Sequence, residues 1–154
     1  MEKTVDFTWS GQRGHATDDL LDRREAAYGV RFPERYREMV IEHDGASIMD
    51  RTDFDVVDPQ RGPDVRGFGQ LLSYDARFGA QSVHSVHLDH APSGVVPVTM
   101  DGMGEYVSLD YRNGRGDPAV VIWRGPHDGG DGDGIIPVAD DFSAFLSMLR
   151  EPDD

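Results

Sequence analysis

Between Gly94 and Trp123 three apolar runs follow one another, and each gap between them is a short turn that contains glycine. Gly94-Val95-Val96-Pro97-Val98-Thr99 leads to a turn at Asp101-Gly102. Tyr106-Val107-Ser108-Leu109-Asp110-Tyr111 leads to another at Asn113-Gly114, and Ala119-Val120-Val121-Ile122-Trp123 follows. Connections this short join antiparallel neighbours, because a parallel crossover needs a dozen residues or more. The spacing therefore predicts an antiparallel meander over 95–99, 106–111 and 119–123.

Helical signals lie on either side of it. Thr17 is a good N-cap, Asp18 and Asp19 suit the positive end of a helix dipole, and Leu20, Leu21, Ala27 and Tyr28 recur at helical spacing before Gly29. Phe32 precedes a proline and is pushed out of the α region, while Pro33 suits the start of a second helix. Its apolar stripe is Tyr36, Met39, Val40 and His43, and Asp44-Gly45 ends it. Asp140 or Asp141 caps a last helix with Phe142, Phe145, Leu146 and Leu149 on one face. Helices are thus expected near 18–28, 34–43 and 141–149. Val5 to Trp9 is expected as an edge strand or extended arm, Phe54 to Asp58 and Ile135 to Val138 as strands, Pro59 to Gly67 as loop, and Gln81 to His90 as a helix. Gly69 to Phe78 gives only a weak signal. Helices, then an antiparallel sheet, then a helix, without βαβ alternation, indicate an α+β fold. With no repeat or linker, 1–154 reads as a single domain with a lead-in over 1–16 and a frayed tail over 151–154.

Composition narrows the function classes. No cysteine is present, so disulfides, thiolate nucleophiles and Cys-ligated zinc are excluded. No stretch approaches the roughly 20 apolar residues that span a bilayer, and Met1 to Ser10, with Glu2 and Asp6, lacks an apolar run long enough for a signal peptide; a cytoplasmic location is expected. Fifteen basic against 29 acidic residues give a net charge of −14. That field repels nucleic acid and anionic lipid and attracts a basic protein. Solubility alone is the competing explanation of the charge. Half of the excess sits in 125–154, where eight acids face only Arg150.

Candidate metal and catalytic motifs fail on spacing. His84, His87 and His90 on a strand would alternate faces, and on a helix their offsets of three drift around the surface. A polar helix face with scattered histidines is the stronger account. Asp128, Asp131 and Asp133 would occupy positions one, four and six of an EF-hand loop whose twelfth residue is Ala139, so a flexible hairpin loop is expected. No Gly-x-Ser-x-Gly and no P-loop occurs. Neither a metal nor another cofactor is expected.

Three segments together resemble the SMI1/KNR4 (SUKH) family. Tyr28-Gly29-Val30-Arg31-Phe32-Pro33-Glu34-Arg35-Tyr36 is similar to the family's helix-Gly-x-x-Phe/Leu-Pro-x-x-Tyr entry, with Asp44-Gly45 where Asn-Gly is usual. Val96-Pro97-Val98 through Leu109-Asp110 resembles its strand pair. Val121-Ile122-Trp123 followed by Asp141-Phe142-Ser143-Ala144-Phe145-Leu146 resembles its Trp-ending strand and closing helix. The resemblance implies a protein-binding domain without catalytic residues. Many bacterial members resemble immunity proteins that neutralise a cognate toxin, and eukaryotic relatives resemble regulators of cell-wall assembly. Gly29, Pro33, Tyr36, Gly45, Trp123, Phe142 and Phe145 then read as scaffold, and Asp110 as a strand residue that bonds a turn.

The expected function is accordingly a non-enzymatic binder of the immunity type, occluding a basic toxin domain. The rival is a regulator or scaffold that binds a cellular partner. The least family-like acidic stretch, with Asp50, Asp53, Asp55, Asp58 and Asp64 and only two arginines between them, is the expected interface. Asp128, Asp131 and Asp133 come next, and ordinary solvated surface competes with both.

Overall fold

A computed structural model describes residues 7–11, 15–74, 92–101, 104–114, 117–124 and 134–152. The first two helices, α1 (Asp18–Tyr28) and α2 (Glu34–His43), have the boundaries that their caps predict. The Thr17 side chain accepts from the Leu20 amide at 3.2 Å, and Gly29 closes α1 in the left-handed region at φ 70°. The closing helix α3 (Phe142–Met148) is capped by Asp141, which accepts from the Ala144 amide at 2.7 Å.

Among the described residues ten strands lie between and before these helices: β1 (Trp9–Ser10), β2 (Ser47–Ile48), β3 (Asp53–Asp58), β4 (Gly62–Gly67), β5 (Gln70–Leu71), β6 (Val95–Pro97), β7 (Thr99–Met100), β8 (Tyr106–Asp110), β9 (Ala119–Trp123) and β10 (Ile135–Ala139). They form an antiparallel sheet in the order β10-β9-β8-β6, a smaller sheet β1-β2-β5-β7, and the hairpin β3-β4. Leu109 stands opposite Val96 on one side and Val120 on the other, so the predicted meander is the central sheet. The fold is α+β.

The run 95–99 forms two strands, not one. Pro97 has no amide for the ladder, and the chain leaves β8 after Val98, whose amide still reaches the Val107 carbonyl at 2.8 Å. Thr99 then pairs with Leu71 in the other sheet. The predicted loop 59–67 is a second departure, because 62–67 is strand β4. Gly, Pro, Asp and Arg give that segment little strand propensity, and pairing with β3 overrides it. Of the arm expected over 5–9, only the end is strand within the described residues. Ala27 is exposed, although it lies on the apolar stripe expected for α1. The helix expected over 81–90 lies outside the described residues.

The core gathers the aromatic residues of the closing helix. Phe145 meets Phe54 edge-on at 5.1 Å and stacks on Phe68 at 6.2 Å, while Phe142 meets Tyr36 at 5.6 Å. Each such side chain contributes about 1.5–3 kcal/mol by leaving water. Trp123 belongs to a second cluster with Leu72, Val95 and Tyr106, on whose ring it stacks at 5.1 Å. Arg37 ties α2 to α1 through Glu25 at 2.7 Å, Asp18 at 2.8 Å and Asp22 at 3.0 Å. Glu25 also accepts from the Phe32 amide at 2.6 Å, which fixes the entry into Pro33.

Candidate protein-interaction surface

The β3 sequence, Asp53-Phe54-Asp55-Val56-Val57-Asp58, alternates in burial along its length. Phe54, Val56 and Asp58 turn inward, and Asp55 and Val57 turn to solvent. Register places Val65 opposite Asp55 and Pro63 opposite Val57. One face of the hairpin therefore presents Asp55, Val57, Pro63 and Val65 side by side.

The expected acidic interface is divided by this geometry. Asp50 accepts from the amides of Thr8 at 3.1 Å and Arg51 at 3.0 Å. Burial opposes ionisation of Asp50, yet these backbone bonds outweigh it and hold its carboxyl below the ordinary value. Asp53 is partly covered and accepts from the Thr52 hydroxyl at 3.0 Å. Asp55 is well exposed and meets Arg150 at 2.9 Å, a bond that lowers its pKa. Asp58 is 2% exposed. Its carboxyl is held low first by the Gln60 amide at 2.8 Å, with Arg124 and Arg66 adding to the effect. Asp64 accepts from the Val65 amide at 2.8 Å and pairs with Arg66, and both contacts lower its pKa.

Arg66 and Arg150 thus stand among carboxylates that the sequence presents as an acidic run. Arg66 also reaches Glu105, the residue before β8, at 2.7 Å, tying the hairpin to the entry of the central sheet. Asp55 is the exposed carboxylate of this face, while Asp64 stands opposite Val56 on the other face and is exposed at the edge of β4. The other expected contact residues, Asp128, Asp131 and Asp133, lie outside the described residues, as do His84, His87 and His90. Among the described residues no group of three or more His, Asp or Glu is arranged to hold a metal ion.

Both edges of the hairpin carry features that resist strand addition. The Asp53 amide donates to the Arg150 carbonyl at 3.0 Å, and the Arg150 amide donates back at 2.8 Å. On the outer edge of β4, Pro63 has no amide hydrogen and the Val65 amide is taken by the Asp64 side chain. The hairpin therefore offers side chains to its surroundings and not an open strand edge.

The apolar members of this surface were not singled out in the sequence. Among the described residues the exposed large apolar side chains are Met49, Val57 and Val65, and two of these three share the hairpin face. The alternation of β3 carries the signal, since Val57 falls in phase with Asp53 and Asp55. Recognising Val65 requires the register with β4, which the sequence does not announce.

Tyr36, Trp123, Phe142 and Phe145 are buried, and Gly45 adopts φ 77° at the end of α2. Asp110 accepts from the Arg112 amide at 3.0 Å and its guanidinium at 2.9 Å, holding the turn after β8. The profile of the SMI1 / KNR4 family (SUKH-1) matches residues 15–148. The chain belongs to the SMI1/KNR4 family. No curated protein matches it. The family match spans α1 through the end of α3, so hairpin, central sheet and closing helix all lie inside the SMI1/KNR4 domain. No helix among the described residues is long and apolar enough to cross a membrane.

Proposed function

We propose that this SMI1/KNR4 domain is a non-enzymatic binder of the immunity type, which neutralises a basic toxin domain in the cytoplasm by covering its working face. Membership of the family over 15–148 is the observation that carries the reading. The net charge of −14 gives the partner its sign. An acidic field raises the encounter rate with a basic protein, and it does so most at low salt. Asp50, Asp53, Asp55 and Asp64 serve that steering on the described surface, with Asp128, Asp131 and Asp133 as a second acidic group. Asp58 faces inward and holds the hairpin turn.

The test starts from the gene beside this one. Where that gene encodes a large secreted protein ending in a basic domain, the domain is expressed with and without this chain. Restored growth in the presence of the chain is the expected result. Growth arrest that the chain does not relieve, despite its soluble expression, overturns the immunity reading and leaves the regulator or scaffold as the account.

A further inference from the structure

The face of the β3-β4 hairpin continues into a groove of about 450 Å³. It is lined by hairpin residues, among them Val57, Pro63 and Val65, and by Pro137 and Val138 of β10, and Asp55 and Asp64 also line it. Val57 is 66% exposed and Val65 43%, although valine is among the residues most often buried. The lining holds two carboxylates and no cationic side chain, with Arg150 and Arg66 pairing to those carboxylates from outside it.

We infer that this groove is the anchoring site for the partner: it takes an apolar side chain that the partner presents between lysines or arginines. The inference rests on the reading of the chain as a binder of a basic protein, and adds where and by what chemistry that protein is gripped. Apolar anchors seated in a pocket supply most of the affinity of an interface, while rim charges set the association rate. Here Val57, Val65 and Val138 are the anchor contacts, and Asp55 and Asp64, which pair with Arg150 and Arg66 in the free chain, can exchange those partners for the flanking cations. A second copy of the chain is disfavoured as occupant, because it brings another −14 and the same two carboxylates to the same groove. An added β-strand is disfavoured by Pro63, by the Asp64 bond to the Val65 amide and by the Arg150 bridge.

The probe is an alternating lysine–leucine pentapeptide titrated into the isotope-labelled full chain and followed by amide chemical shifts. A pentalysine and an alternating glutamate–leucine peptide serve as controls. Saturable shifts at Val57, Val65 and Val138 are expected with the lysine–leucine peptide, and not with the glutamate–leucine one. Val57→Ser combined with Val65→Ser should weaken that binding at least tenfold, since both residues are solvent-facing and the fold tolerates change there. Pentalysine should shift the acidic residues without saturating the groove. Lysine–leucine shifts that avoid the groove, or that survive the double substitution unchanged, overturn the anchoring site and leave the basic-partner reading standing. No response to either cationic peptide contradicts both.

Discussion

The hydroxyls of Tyr36 and Tyr74 lie 2.7 Å apart, and both side chains are wholly buried. Burial raises both pKa values, so neither hydroxyl ionises below the ordinary tyrosine range and the bond persists across neutral pH. Tyr74→Phe keeps the ring and removes the partner of Tyr36. A buried donor left without its bond costs about 1–3 kcal/mol, whereas removing both partners costs less than the sum of the two single changes. At roughly 2–4 °C per kcal/mol for a chain of this size, each single substitution should lower Tm by about 4–8 °C for a 2 kcal/mol loss. Urea unfolding of the two single variants and the double variant forms a complete cycle. A coupling of about 1 kcal/mol or more between the sites is expected. Additivity to within about 0.5 kcal/mol would show that the two hydroxyls are energetically independent and refute the bond's assigned role.

Other consequences of the structure are tested by the same unfolding assay. Gly69→Ala places a Cβ 2.3 Å from the Met100 carbonyl oxygen at φ +77°, while Gly29→Ala meets open space at φ +70°. The second should cost about 1–2 kcal/mol for the left-handed backbone alone, and the first distinctly more; equal losses would contradict the contact. Thr17→Ala removes the α1 cap and should cost about 1 kcal/mol, measured as a shifted urea midpoint at constant slope. His43 stacks on Trp9 at 4.3 Å, and burial lowers its pKa although Glu42 partly opposes this. The unfolded chain then binds the proton more readily, so stability should fall as pH drops below about 6.5. His43→Gln should flatten that slope, and an unchanged slope would assign it to other groups.

Where the sequence could be read, local chemistry decided the outcome. Thr17, Gly29, Pro33 and Asp141 act within one helical turn, and they set helix boundaries whatever the rest of the chain does. The β8 and β9 runs are apolar enough to be strands in any context. Gly62–Gly67 is different, because its strand state comes from pairing with β3 and not from its own residues. The division of 95–99 depends on two sheets competing for one segment, and no local pattern encodes that. The acidic stretch was visible as composition. Its pairing with Arg66 and Arg150 was not, since Asp55 and Arg150 are 95 residues apart. The exposed valines fall between the two cases: strand alternation places Val57 outward, and tertiary register brings Val65, Pro137 and Val138 to it.

If this SMI1/KNR4 domain works by binding a basic protein, titration calorimetry of the purified chain against the basic domain encoded beside it, at low and high salt, will register the complex. A one-to-one complex is predicted, tighter at low salt and weakened by Val57→Ser combined with Val65→Ser. The absence of any complex at either salt concentration, with both proteins folded, would contradict it.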